Sequence, residues 1–320
     1  MSIARFASTA LFAGAMLGGC SKDSVAPPPW PPAEWSKFAL LGGDGFGIAR
    51  SNDGHLLATL INAGYVERVL LSNASAQHEA VSVGGTPSVI ATSPNGGVFY
   101  VANMAGWVEA RNSGTGEPIA TFELSDAHSL TVSPDGARLY VTGSAGHLYV
   151  LNATTLVPID TVSIPGGPWG IAFRTVGSSN RLLVTARDAG TITEIDRATN
   201  AVLHIYNVGG RPHGLVITPD GKRLFAADNQ ASAIKVIDAS TGGVTGQIPF
   251  DGAFGLAISP DGRTIYASGD NGLIGFLDVS KATLDHSWAT DGQPRQIVTS
   301  ANGDTAYFAN TYGWIDRVTR

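Results

Sequence analysis

Short apolar runs separated by polar turn residues fill most of this chain. Each run is rich in β-branched and aromatic residues and is too short for an ordinary helix. Between the first two runs of one such unit, Pro219 presets φ, Asp220 caps the turn and Gly221 accepts a positive φ. The pattern predicts four short strands per unit. In this unit the strands are predicted at 215–218, 223–227, 233–238 and 244–249.

The unit recurs seven times. Ser-Pro-Asp-Gly or Thr-Pro-Asp-Gly opens the turn at residues 133–136, 218–221 and 259–262, and weaker copies of the turn end at Gly54, Gly96 and Gly303. A further copy around 170–173 lacks this turn and has two extra residues before its second run. The residue eight positions before each turn glycine, or its equivalent in the aberrant copy, recurs every 40 to 44 residues. This series is Phe46, Ser88, His128, Trp169, His213, Phe254 and Arg295.

Four short strands in each of seven repeats are typical of a β-propeller. The last copy ends after three strands, at 296–299, 305–309 and 314–319, while the segment 36–41 precedes the first copy and matches a fourth strand. We therefore predict an all-β fold over residues 35–320, a seven-bladed β-propeller of four-stranded antiparallel blades. The N-terminal strand is expected to complete the last blade, which closes the ring and removes exposed edges.

The repeat also resembles a known family. The unit Ser-Pro-Asp-Gly-x-x-Leu-Tyr-Val at 133–141, extended by Thr142, and the run Phe-Tyr-Val-Ala-Asn at 99–103 are similar to the repeat of the YVTN family of bacterial seven-bladed propellers. The resemblance covers about residues 35–320 and implies the fold. It leaves the activity open, because the relatives by fold include lactonases, sugar-acid hydrolases and quinone-dependent dehydrogenases.

The first 19 residues have the layout of an export signal, with Arg5 near the start, a short apolar stretch and small residues before Cys20. Leu17-Gly-Gly-Cys20 resembles a bacterial lipobox, which implies cleavage before Cys20 and acylation of that residue, the only cysteine. The predicted organisation is a lipoprotein signal peptide at 1–19, a Pro-rich tether at 20–34 and the propeller. The alternative is an ordinary signal peptide with an incidental cysteine.

The lipoprotein interpretation sets an expected location. Several acyl chains give stable anchoring to a lipid bilayer. The residue after Cys20 is Ser21 rather than Asp, and the resemblance then implies an outer-membrane lipoprotein facing the periplasm or the cell surface. Five prolines between Pro27 and Pro32 favour an extended spacer.

A propeller binds ligands by default where its blades converge on the central channel, because a concave site with convergent polar groups forms there. We expect the seven-residue series to form the channel mouth, where the aromatic rings suit a planar or apolar ligand and either Arg295 or Arg187 suits a carboxylate on it. The alternative is that these side chains plug and solvate the channel. A second ring is expected from the loops between second and third strands. Its members are Asn62, Asn103, Ser144, Arg187, Asp188, Asp228, Asn229, Asp270, Asn271 and Asn310.

No cofactor is predicted, but a divalent metal in the channel is one possibility. His128, His213 and Asp228 are weak candidate ligands, because a site normally needs three or four protein groups. Asp and Asn oxygens of the second ring suit Ca²⁺, although such residues more often cap turns.

The net charge and the local motifs reduce the number of functions that the sequence supports. The chain has 26 acidic and 20 basic residues, a formal charge of −6, without a Lys/Arg cluster, which argues against nucleic-acid binding. It lacks the local motifs of serine hydrolases, zinc proteases and phosphate-binding loops. The favoured function is a non-enzymatic scaffold that binds a protein or small-molecule ligand on the channel face. The alternative is an enzyme of the lactonase, sugar-acid hydrolase or quinone-dependent dehydrogenase type with a His/Asp/Arg site at the mouth.

Overall fold

The computed structural model describes residues 33–125, 127–143, 145–176 and 179–320. Within these ranges the chain forms 28 strands, and it has no helix long and apolar enough to cross a bilayer. The predicted signal peptide, Cys20 and the tether up to residue 32 lie outside the described residues. In chain order the strands are β1 (Glu34–Leu40), β2 (Gly45–Arg50), β3 (His55–Leu60), β4 (Tyr65–Leu70), β5 (Glu79–Ser82), β6 (Pro87–Thr92), β7 (Val98–Asn103), β8 (Trp107–Asn112), β9 (Pro118–Glu123), β10 (Ala127–Val132), β11 (Arg138–Gly143), β12 (His147–Asn152), β13 (Pro158–Ser163), β14 (Pro168–Val176), β15 (Ser179–Ala186), β16 (Thr191–Asp196), β17 (Val202–Asn207), β18 (Pro212–Ile217), β19 (Arg223–Asp228), β20 (Ala233–Asp238), β21 (Val244–Pro249), β22 (Ala253–Ile258), β23 (Thr264–Gly269), β24 (Leu273–Asp278), β25 (Thr283–Ala289), β26 (Pro294–Thr299), β27 (Thr305–Asn310) and β28 (Trp314–Thr319).

The strands form seven four-stranded antiparallel sheets, so the predicted seven-bladed propeller is confirmed. Blades 1 to 6 each take four consecutive strands, from β2–β5 to β22–β25, and blade 7 has the order β1-β28-β27-β26. The N-terminal strand therefore completes the last blade as predicted. It begins at Glu34, two residues before the predicted start. The indole of Trp35 donates a hydrogen bond of 3.0 Å to Asp316 Oδ1 on β28, which fixes the closing strand to the C-terminal one.

Seven clusters of buried apolar side chains lie in the described part of the chain, one at each boundary between neighbouring blades. The cluster that joins blade 7 to blade 1 contains Ala39, Ile48 and Tyr307. The middle strands are buried on both faces, as in β11, where the consecutive residues Leu139 and Tyr140 point to opposite faces and are 0% and 1% exposed. This explains why these strands read as continuous apolar runs rather than as an alternating pattern.

The Pro-Asp-Gly turns behave as their chemistry predicts. In blade 3, Gly136 has a φ of 72°. The hydroxyl of Ser133 donates to Asp135 Oδ1 at 2.5 Å and accepts from the N–H of Arg138 at 2.9 Å, so serine closes the turn that aspartate caps. The aberrant copy forms the longest hairpin, with nine residues in β14 and eight in β15.

Candidate functional site at the channel mouth

The seven predicted mouth residues occupy equivalent places, because each is the second residue of the first strand of its blade. In four blades the next residue is glycine, and at Gly170 the reason is steric. A Cβ there would lie 2.3 Å from the carbonyl oxygen of His213 on the neighbouring blade. First strands of adjacent blades therefore approach each other closely around the channel, which brings the mouth side chains together.

Hydroxyl groups on the second strands bridge these approaching backbones. The hydroxyl of Thr185 accepts from the N–H of Gly170 at 2.7 Å and donates to the carbonyl of His213 at 2.9 Å. Thr59 and Ser268 make the same bridge in blades 1 and 6. All three hydroxyl residues are fully buried. The backbone of a mouth residue is thus set by the preceding blade rather than by its own side chain.

Aromatic and cationic side chains of the mouth form one continuous cluster. The Trp169 ring lies 4.4 Å from the ring of His128 and 5.3 Å from that of His213, centroid to centroid. The ring of His213 lies 5.4 Å from that of Phe254. The guanidinium of Arg295 stacks 4.8 Å from the Phe254 centroid. The same guanidinium lies 5.8 Å from the Phe46 centroid, so six of the seven predicted residues are in contact through one chain of rings and cations.

Two cavities lie against this cluster. An inner cavity of about 240 Å³ lies along the first strands, and an outer cavity of about 280 Å³ reaches the turns between second and third strands. The mouth therefore opens on the side where the second ring was expected. Five mouth residues border both cavities and form a partition between them: Phe46, His128, Trp169, Phe254 and Arg295. The outer cavity is also lined by Ile61, Ser88, Met104 and Ala127.

His213 is buried beside this partition, against the rings of Trp169 and Phe254. Its Nδ1–H donates to the carbonyl of Arg211 at 3.0 Å. Burial lowers the pKa of His213 from its ordinary value of 6.5 to about 4. The hydrogen bond to Arg211 and the charge of Asp270 oppose this shift, while the charges of Arg187 and Arg211 reinforce it. The imidazole is therefore neutral at pH 7.

The carboxylate of Asp188 pairs with two arginines beside the channel mouth. Asp188 Oδ1 lies 3.2 Å from Arg187 Nε and 3.0 Å from Arg211 Nη2. Partial burial acts to raise the pKa of Asp188, but the hydrogen bonds from both arginines hold it below its ordinary value. The guanidinium of Arg187 also stacks 4.8 Å from the Trp169 centroid. The second ring thus touches the mouth through Arg187.

Other second-ring residues are turn caps. Asp228 is fully buried, and its Oδ1 accepts from the backbone N–H groups of Arg211 at 2.8 Å and Ala231 at 3.1 Å. Its Oδ2 pairs with Lys235 Nζ at 2.6 Å. Burial acts to raise the pKa of Asp228, but these partners outweigh burial and lower it. Asn103 occupies the equivalent place in blade 2 and accepts from the N–H of Thr86 at 2.8 Å.

The remaining second-ring residues bind one another or their neighbours. Asn310 is fully buried and donates to Asp316 Oδ2 at 2.7 Å. Asn229 donates to Asp270 Oδ2 at 2.9 Å, and Asn62 donates to a carboxylate oxygen of Asp44. Asn271 donates to Asp251 at 2.9 Å. Ser144 lies outside the described residues.

The candidate metal ligands do not form a common site. The described residues hold no group of three or more His, Cys, Asp or Glu side chains placed to bind a metal ion. His128 directs Nδ1 to the carbonyl of Pro168 at 3.2 Å, and Asp228 is occupied by Lys235. No observation in the described part of the chain therefore favours a metal-dependent enzyme over a binding site.

Three side chains near the mouth were not predicted from the sequence. Ile61 and Met104 come from the turns after the second strands and line the outer cavity. Gln296 reaches from blade 7 to blades 1 and 2, where its Oε1 accepts from the N–H of Ile48 at 3.1 Å and its Nε2 donates to the carbonyl of Ile90 at 3.0 Å. The position of Gln296, directly after a mouth residue where four other blades have glycine, is the one signal in the sequence.

Comparison with known proteins supports this architecture. A family model described as a YNCE-like beta-propeller matches residues 135–258. The uncharacterized protein YncE of Salmonella typhimurium is 25% identical over 135 residues, which make up 40% of this chain and 38% of that protein. The match thus spans well under half of the relative's own length. The predicted resemblance to YVTN-type seven-bladed propellers is confirmed by these matches together with the seven blades.

A solved structure shares the fold. The chain superposes on a chain from the hydrazine synthase of Kuenenia stuttgartiensis with a TM-score of 0.74 and 20% identity. The superposition covers 85% of this chain and 94% of that one. At this level of identity the likeness concerns the fold alone.

Proposed function

We propose that the protein is a lipid-anchored propeller of the cell envelope that binds a small-molecule or protein ligand at its channel mouth without transforming it. The observation that carries the binding role is the outer cavity, about 280 Å³ in volume, whose lining comes from six of the seven blades. Such convergence of aromatic rings with a single guanidinium is the composition expected of a ligand pocket.

The non-enzymatic role is supported by the contacts of the polar groups. His213 is neutral and donates its Nδ1–H to a backbone carbonyl, while Asp228 is buried against Lys235 and two backbone N–H groups. These groups stabilise turns and the partition.

Binding is tested with a fragment library observed by saturation-transfer NMR. We expect fragments that bind the wild type to lose their signal in Phe254→Ala, which removes one wall of the outer cavity. The control Ile159→Ala removes an exposed side chain from the outer strand of blade 3 and should leave the signals unchanged. Equal signals in all three proteins would show that the mouth is not the binding site.

The anchor is supported by the sequence Leu17-Gly-Gly-Cys20 and the proline-rich segment that follows it. We expect the full chain, expressed in a bacterium with two membranes, to incorporate an alkyne-labelled palmitate and to sediment with the outer membrane. Cys20→Ser should abolish both. Labelling that persists in the serine variant would place the lipid elsewhere, and wild-type protein recovered free of lipid in the periplasm would rule the anchor out.

A further inference from the structure

The guanidinium of Arg295 sits in an unusual environment at the centre of the mouth. It stacks on two rings, 4.8 Å from the Phe254 centroid and 5.8 Å from that of Phe46. Its Nη2 donates to the side-chain oxygen of Gln293, and its Nε is buried without a hydrogen-bond partner among the described residues. Arg295 is thus largely surrounded by apolar groups, and burial lowers its pKa.

Neighbouring cations are paired, whereas this one is not. Arg187 and Arg211 share Asp188, and Lys235 has Asp228. Within the described ranges no carboxylate lies within 4.0 Å of Arg295. Asp270 acts on Arg295 through its charge, but its Oδ2 accepts from Asn229 and it makes no ion pair with the guanidinium.

Arg295 is partly buried, and withdrawing a cation from water without a counter-ion is costly. A planar guanidinium binds a carboxylate through two parallel hydrogen bonds. The space next to Arg295 is the outer cavity, whose other walls include Phe46, Ile61, Met104 and Trp169. Its volume of about 280 Å³ lies just below the range of roughly 300–1,000 Å³ that is typical of ligand pockets. That volume suits one or two rings, or a short aliphatic chain.

We infer that the ligand of the channel mouth is a small monocarboxylate with an aromatic or aliphatic body, whose carboxylate pairs with Arg295 and whose body packs in the outer cavity. This inference rests on the proposed binding function and names its ligand class. One unpaired guanidinium matches one negative charge, so a phosphate dianion would keep part of its charge uncompensated. A sugar would place several hydroxyls against apolar walls that offer them few partners.

The probe is 2-naphthoate, and its neutral analogue is naphthalene-2-carboxamide. With wild-type protein we expect isothermal titration calorimetry to give a dissociation constant at least tenfold lower for the carboxylate than for the amide. Arg295→Gln should weaken the carboxylate at least tenfold and change the amide by less than twofold. Arg295→Lys keeps the charge but loses the paired donors, so an intermediate affinity is expected. The control Arg263→Gln changes an exposed cation of a Pro-Asp-Gly turn and should match the wild type.

The outcomes separate the inference from the function on which it rests. If both probes bind the wild type equally and Phe254→Ala weakens both, the mouth is a binding site but the ligand class is wrong. If 2-naphthoate binds Arg295→Gln as tightly as wild type, the role of Arg295 is overturned. If neither probe binds while other fragments bind in a Phe254-dependent way, the inference fails and the proposed function stands. If no fragment depends on Phe254, both fail.

Discussion

The variant His213→Phe tests whether the imidazole of His213 is buried and neutral in the folded protein. Phenylalanine keeps an aromatic ring beside Trp169 and Phe254, whose centroids lie 5.3 and 5.4 Å from that of His213. It removes the imidazole, whose pKa is lowered to about 4 by burial and by the charges of Arg187 and Arg211. Comparing the two proteins across pH therefore measures what it costs to protonate this one group in the folded state.

The direction of the pH effect on stability follows from the protonation of His213 in the folded and the unfolded chain. Above pH 6.5 the imidazole is neutral in both the folded and the unfolded protein, so its full contribution to stability is present. Between pH 6.5 and about 4 the imidazole is protonated in the unfolded chain but not in the folded chain. The free energy of unfolding therefore falls as the pH falls. The two pKa values correspond to a total loss of roughly 3 kcal/mol, complete below about pH 4. His213 is 6% exposed, so solvent screening reduces this figure little.

The measurement is urea denaturation followed by far-UV circular dichroism at half-unit steps from pH 7.5 to 3.5. Carboxylates titrate in both proteins, so the diagnostic quantity is the difference between the wild type and His213→Phe. We expect that difference to shift in favour of the variant by roughly 3 kcal/mol as the pH falls from 7 to 4. The control His286→Asn replaces an exposed histidine on β25 and should parallel the wild type. Parallel curves for the wild type and His213→Phe would refute the buried, neutral imidazole.

Two further substitutions test how the ring is held. Thr185→Val preserves the shape of the side chain but leaves the N–H of Gly170 and the carbonyl of His213 without their buried partner. The free energy of unfolding, measured by urea denaturation, should therefore fall by about 1–3 kcal/mol. The control Thr161→Val changes an exposed threonine and should lower it by less than about 0.5 kcal/mol. An equal effect of both would show that the bridge contributes nothing. Trp35→Phe removes the indole bond to Asp316 across the closing blade and should cost about 1–2 kcal/mol, with Trp288→Phe on an outer strand as the control. A Trp35→Phe protein as stable as the control would mean that the indole bond contributes nothing beyond the backbone pairing and packing of the closing strand.

The fold was predictable because each repeat marks the boundaries of its own strands. A Pro-Asp-Gly turn fixes where one strand ends and the next begins, and a period of 40 to 44 residues leaves room for two more strands. Counting eight positions back from the turn glycine reached the second residue of the first strand in six blades, and Trp169, the equivalent residue of the aberrant copy, lies at the same place in its strand. The closing strand was predictable because the last repeat lacked one strand.

The second ring was less predictable, for a physical reason. An Asp or Asn after a strand carries the same signal whether its oxygens cap the next turn or face the channel. Asp228 and Asn103 cap buried turns, whereas Arg187 reaches the Trp169 ring. The crossing of Gln296 depends on the distance between first strands across the channel, which no local pattern encodes.

These contacts also explain how one repeated scaffold tolerates five different kinds of side chain at one position. The hydroxyls of Thr59, Thr185 and Ser268 hold the carbonyls of the mouth residues on the next blades, and those residues are as different as Ser88, His213 and Arg295. The bonded atoms belong to the backbone, so the side chain at the mouth does not enter the bridge. Selection can therefore change the surface of the cavity, one blade at a time, without disturbing the contacts that close the ring. The unpaired guanidinium of Arg295 is such a change, because its place in the fold is secured by Ser268 and Gly255 rather than by its charge.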